Sequence, residues 1–148
     1  MLKIERVKAA LRGELVDRPP VSLWMEHPSA DQDPAKLACA HVAFQEKYDL
    51  DFIKLTPFDL YCVPDWGGEL SYDPTGRRAP QVARRVVGKP GDWLNLRPLS
   101  GTNGVWGKQA EALRCVKALA NPDVPSDGFN ESGVEFDPQI QAFSPRFV

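Results

Sequence analysis

Apolar positions along the chain change their period several times, and each change marks an element. Ile4, Val7 and Leu11 recur at i, i+3 and i+7, which predicts a helix with one apolar face, stopped by Gly13. Pro19 and Pro20 forbid any helical continuation. From Val21 the pattern becomes alternating: Val21, Leu23 and Met25 share one face and Ser22 and Trp24 the other, which predicts a short strand over 21–25. Asp33-Pro34 then reads as an N-cap followed by proline at the first helical position. The helix it opens carries the stripe Leu37, Ala40, Phe44 and Tyr48, with His41 on or beside it. The run 51–57 predicts a second strand.

Strand, helix and strand within about forty residues have the size of a parallel βαβ crossover, which makes the two strands neighbours with a right-handed connection. In such folds chemistry sits at the C-terminal ends of the strands. Those ends hold Met25, Glu26 and His27 after the first strand, and Thr56, Phe58 and Asp59 after the second. Further on, 67–73 and 81–87 predict the arms of a hairpin around the turn 73–76. A helical turn over 91–96 capped by Asp92 follows, then a helix over 108–120 with Leu113, Val116 and Ala120 on one side. The stretch 126–138 reads as an irregular loop and 139–143 as a third strand.

Composition narrows the functional classes. The 148 residues carry 18 Lys and Arg against 20 Asp and Glu, a formal charge of -2, which argues against a nucleic-acid binder working through a basic face. No apolar run approaches the ~20 residues of a membrane span, and the first twelve residues lack the apolar core of a secretory signal. Cys39, Cys62 and Cys115 are odd in number and widely spaced, as expected of reduced thiols in a cytoplasmic protein.

Specific chemistry is sparse. No two of His27, His41 and the cysteines sit at zinc-ligand spacing, so no metal is expected, and His41 reads as a satisfied helix histidine. Gly67-Gly68 and 101–104 lack the Lys-Ser/Thr of a phosphate loop and read as turns. Cys62 reads as a small buried hydrophobe, and Trp93 as core filling. Trp24 and Trp66 flank the strand ends, where pocket wall and core are equal alternatives. Of the carboxylates Glu26, Asp59 and Asp65, Asp59 is best placed for chemistry, just beyond the second strand.

Taken in order, Arg6-Val7-Lys8-Ala9-Ala10-Leu11-Arg12-Gly13-Glu14, Asp17-Arg18-Pro19-Pro20-Val21, the stretch 47–54 and Asp65-Trp66-Gly67 resemble the uroporphyrinogen decarboxylase superfamily. Glu111-Ala112-Leu113-Arg114, Asp123-Val124-Pro125 and Phe143-Ser144-Pro145 fit the same family. The resemblance implies an α/β fold, the N-terminal and incomplete portion of a (β/α)8 barrel, with 1–148 a single partial domain. It implies a decarboxylase-like protein of porphyrin metabolism, a carboxy-lyase with little activity in this form, working without cofactor. Asp59 would be catalytic, and Met25, Glu26, His27, Thr56 and Tyr61 would bind the substrate. Glu26 and His27 stand where that family's strand-end arginines are expected, and this favours the alternative branch of the superfamily, in which zinc activates a thiol and a corrinoid protein is the methyl partner. A third possibility is a non-catalytic barrel fragment. The expected partners are a small-molecule substrate, tetrapyrrole or methyl donor, and a second copy of the chain, with neither nucleic acid nor membrane.

Overall fold

The computed structural model describes residues 1–99 and 103–127. Helix α1 spans Lys3–Leu11, α2 Pro34–Tyr48 and α3 Gly104–Leu119. Strand β1 is Ile53–Lys54, β2 Glu69–Ser71, β3 Gln81–Arg84 and β4 Ser126–Asp127. Two 3-10 turns, Pro64–Trp66 and Pro90–Asn95, bracket the β2-β3 hairpin. Helices and short strands combine in a mixed arrangement, in the order α1, α2, β1, β2, β3, α3, β4.

The helix boundaries follow from local chemistry. The Asp33 carboxylate accepts from the Ala35 and Lys36 amides at 3.0 and 3.1 Å, and Pro34 fills a position whose N–H needs no partner. At the other end Asp49 turns left-handed at φ 52° and its amide closes the last turn. Helix α3 has no side-chain cap of its own. Asp65 reaches over from the first 3-10 turn and accepts from the Val105 and Trp106 amides at 2.8 and 2.9 Å. A carboxylate placed there also complements the helix dipole.

Packing joins α2 to α3 over the short sheet. Leu37, Ala38 and Val42 from α2 meet Ala112, Leu113 and Val116 from α3, with Ile53, Leu55, Ala30 and Val124 completing the core. Leu37, Ala38, Ala112 and Val116 are essentially inaccessible to solvent. Burying an aliphatic side chain of this kind contributes about 1.5–3 kcal/mol.

Strand pairing departs from the sequence reading. Strand β1 pairs in parallel with β4, Ile53 opposite Ser126 and Lys54 opposite Asp127, so α3 and not α2 lies between the paired strands. Two residues of the stretch read as loop, Ser126 and Asp127, are therefore strand. The segment 21–25 runs beside β1 but forms no ladder. The Asp51 amide donates to the Val21 carbonyl at 2.8 Å, and the Ser22 hydroxyl donates to the Phe52 carbonyl, an acceptor that a ladder amide would otherwise use. Val21, Leu23, Trp24 and Met25 are all exposed. Trp93 is exposed as well, in the second 3-10 turn, and fills no core. The predicted strand over 139–143 lies outside the described residues.

What holds 17–22 against β1 is the Asp51 carboxylate. It accepts from Arg6 Nη1 at 2.7 Å, from Arg18 Nη2 at 2.9 Å and from the Val21 amide at 2.7 Å, with Arg18 Nη1 on its second oxygen. Arg6 turns its other edge to Asp17, bidentate at 2.7 Å. Burial alone would raise the Asp51 carboxyl, but the bonds from Arg18, Val21 and Arg6 outweigh it and hold the group below the usual carboxylate range. Asp51→Ala removes the acceptor at the centre and leaves the arginines facing each other. We expect a loss of about 3 kcal/mol in urea unfolding, with wild-type stability itself falling below about pH 4 as Asp51 is protonated. A loss under 1 kcal/mol would contradict this role.

Candidate functional site

The site is built at the ends of two segments that the Asp51 clasp brings side by side. Beyond 21–25 the chain enters the turn 27–31, in which the His27 carbonyl accepts from the Ala30 and Asp31 amides at 2.7 and 3.0 Å. Beyond β1 come Leu55, Thr56 and Phe58, all buried, and then Asp59 at the surface. Helix α2 closes the inner side with His41 and Phe44.

Rings line that inner side. His27 meets His41 edge to face with centroids 4.7 Å apart, and Phe44 at 6.1 Å. His41 is buried, and its Nε2 accepts a long hydrogen bond from the Thr56 amide at 3.5 Å. Burial, and secondarily the charge of a protonated His27, push His41 down to about 4. Burial lowers His27 too. Both rings are therefore neutral at pH 7.

Carboxyl groups form the outer side. Glu26 is raised above its ordinary range, by burial first, then by the charge of Asp59 and the hydrogen bond that a protonated Glu26 donates to it. Asp31 is 2 % exposed, and neither of its carboxylate oxygens has a hydrogen-bond partner. Burial and the charge of Glu26 push it up to about 6, tempered by a nearby His27 amide that closes no hydrogen bond. Among the described residues no ion pair reaches Glu26, Asp31 or Asp59. His27 Nε2 and Thr56 Oγ1 are likewise buried without partners.

Glu26 thus lies against Asp59, while His27 and Thr56 both lie against His41. Met25 is exposed beside them. Tyr61 is drawn elsewhere: its ring stacks on Trp106 of α3, centroids 5.1 Å apart and planes 19° from parallel. Sequence reasoning missed Asp31, which reads as one more polar residue of a turn before the N-cap Asp33. It also set His41 aside as a helix histidine. The one available signal was that 27–33 holds a histidine and two aspartates directly after a strand end. Among the described residues no group of three or more His, Cys, Asp or Glu is placed to hold a metal ion.

No family model matches the chain, and no curated protein matches it. Among solved structures the fold is similar to that of a methyltransferase from Methanosarcina mazei, with a TM-score of 0.64 and 24% identity, over 86% of this chain. The chain spans 42% of the length of that protein. At this identity the likeness shows the fold. It corrects the expectation of porphyrin decarboxylation: the structural neighbour is a methyltransferase, in line with the alternative reading. No helix among the described residues is long and apolar enough to cross a membrane.

An unpaired buried carboxylate costs stability. The folded Asp31 binds its proton more tightly than the unfolded chain does, so its contribution is favourable below about pH 4 and is lost as pH rises through 6. Asp31→Asn should therefore stabilise the protein at pH 7 by about 1–3 kcal/mol, with the gain gone at pH 4. Urea unfolding at both pH values checks this, and a destabilised variant at pH 7 would show that the carboxylate is paired.

Proposed function

We propose that the chain is the N-terminal portion of a (β/α)8 barrel of the methyltransferase branch of the uroporphyrinogen decarboxylase-like superfamily, and that its strand-end cluster serves methyl transfer to a small thiol. The observation that carries this is the fold likeness to a methyltransferase over most of the chain. The acidic strand end agrees with it. A polyanionic substrate would meet Glu26, Asp31 and Asp59, three carboxyl groups with no compensating ion pair among the described residues, and like charges repel.

A corrinoid partner, when bound, would supply an electrophilic methyl group. The rest falls to this chain's side chains. Methylating a thiol breaks S–H and forms S–C, while the donor leaves with the electron pair of its carbon bond. The proton needs an acceptor. We assign that role to Asp59, which is exposed beside Glu26. His27 and His41, both neutral, form the inner wall together with Phe44. The zinc of the methyltransferase branch finds no ligand set among the described residues, and no step here runs through it.

Equilibrium dialysis of the chain against methylcobalamin tests the reading. Saturable retention that Asp59→Arg weakens is the expected result. Retention no greater than that of an unrelated protein of the same size would overturn it.

A further inference from the structure

The cluster also carries information about the ligand it would accept. Asp31 offers two carboxylate oxygens and Thr56 a hydroxyl, both residues more than nine-tenths buried and neither side chain with a partner. His27 adds a third buried atom, Nε2, also unmet. Buried polar groups are ordinarily satisfied, and leaving them open is costly. The two residues come from different elements that are linked through His41: its Nε2 takes the Thr56 amide, and its ring touches His27, which heads the turn carrying Asp31. Thr56 and His27 are thus openings independent of the carboxyl groups themselves.

The unmet groups are mostly acceptors. A carboxylate only accepts, a hydroxyl accepts through two lone pairs, and a neutral imidazole nitrogen accepts when its other nitrogen holds the proton. Glu26 and Asp59 extend the same polarity to the surface. The missing component is then a bearer of several N–H donors and a positive charge. A metal ion is a poor fit, because no three ligating side chains among the described residues converge. We propose that the strand-end cluster binds a small organic cation with N–H donors, of the guanidinium or primary ammonium class, with Asp31 as its deepest contact. The proposal rests on the strand-end cluster being the substrate side, as in the function proposed above. It does not need the methyl transfer itself, so a negative methylcobalamin result leaves it standing.

Guanidinium at low millimolar concentration is the probe, added to the intact chain at constant ionic strength and followed by amide NMR. Tetramethylammonium serves as a control of equal charge without N–H groups. The expected result is saturable shifts at the His27, Asp31 and Thr56 amides, with tetramethylammonium at least about tenfold weaker. Asp31→Asn should weaken guanidinium about tenfold or more, and because this variant is expected to fold more stably, lost binding will not reflect lost structure. Affinity should also fall between pH 7 and pH 5, as Asp31 takes up its proton amid Glu26, His27, His41 and Tyr72. Asp59→Asn, at the surface, should weaken binding less than Asp31→Asn. No saturable shifts, equal response to tetramethylammonium, or unchanged affinity in Asp31→Asn would each overturn the proposal.

Discussion

One buried carboxylate decides where the rest of the chain can go. Asp51 sits at the start of the second chain segment of the site and collects Arg6 from α1, Arg18 from the connection after it, and the Val21 amide. A carboxylate with this little solvent needs several donors at once, because each lone pair left empty costs free energy. The donors come from two separate stretches of sequence, α1 and 18–21, so satisfying Asp51 fixes α1, the Pro19-Pro20 bend and the approach to β1 relative to each other. Lys3 adds a second tie between α1 and the end of α2, through Asp49 and the Leu50 carbonyl.

The site is a consequence of that clasp. Segment 21–25 forms no ladder, and among the described residues its backbone is tied just ahead of β1 by the bond from the Asp51 amide to the Val21 carbonyl. Glu26, His27 and Asp31 are therefore delivered to Thr56 and Asp59 by the anchoring of residues upstream, and not by a strand pair of their own. The same arrangement leaves a row of apolar side chains at 21–25 in solvent beside a chain that spans under half the length of its structural neighbour. Stability and function pull in different directions here: the Asp51 carboxylate is saturated and stabilises, whereas the Asp31 carboxylate is open and destabilises. Unmet buried groups with displaced pKa values are a mark of sites that hold something else.

Local signals in the sequence were reliable where they rest on short-range physics. Asp33-Pro34 placed the start of α2, Gly13 its predecessor's end, and the hairpin arms fell at β2 and β3. What the sequence could not convey were pairings decided by distant partners. Alternation at 21–25 predicts a strand, but the segment forms no ladder, and the Ser22 hydroxyl sits on the Phe52 carbonyl that a ladder amide would use. Strand β4 was hidden because two residues carry no periodicity. Glu26, His27, Thr56 and Asp59 were expected from topology, as residues following two predicted strands; the structure sets Glu26 against Asp59 and both His27 and Thr56 against His41. Tyr61 shared their sequence neighbourhood but was claimed by the Trp106 ring. Asp31 stayed invisible because its importance lies in what it lacks, and a missing partner leaves no trace in a sequence.

The central claim is that the Asp51 clasp presses Asp31 into a site without partners. Carbon-13 NMR of the Asp31 carboxyl measures it directly, as a pH titration of the wild-type chain and of Arg18→Ala, which loosens the clasp at its exposed arm while leaving Arg6 on Asp51. A wild-type midpoint close to 6, moving down toward the ordinary aspartate value of about 4 in Arg18→Ala, is the predicted result. A wild-type midpoint already near 4 would contradict the account, because Asp31 would then be solvated or paired.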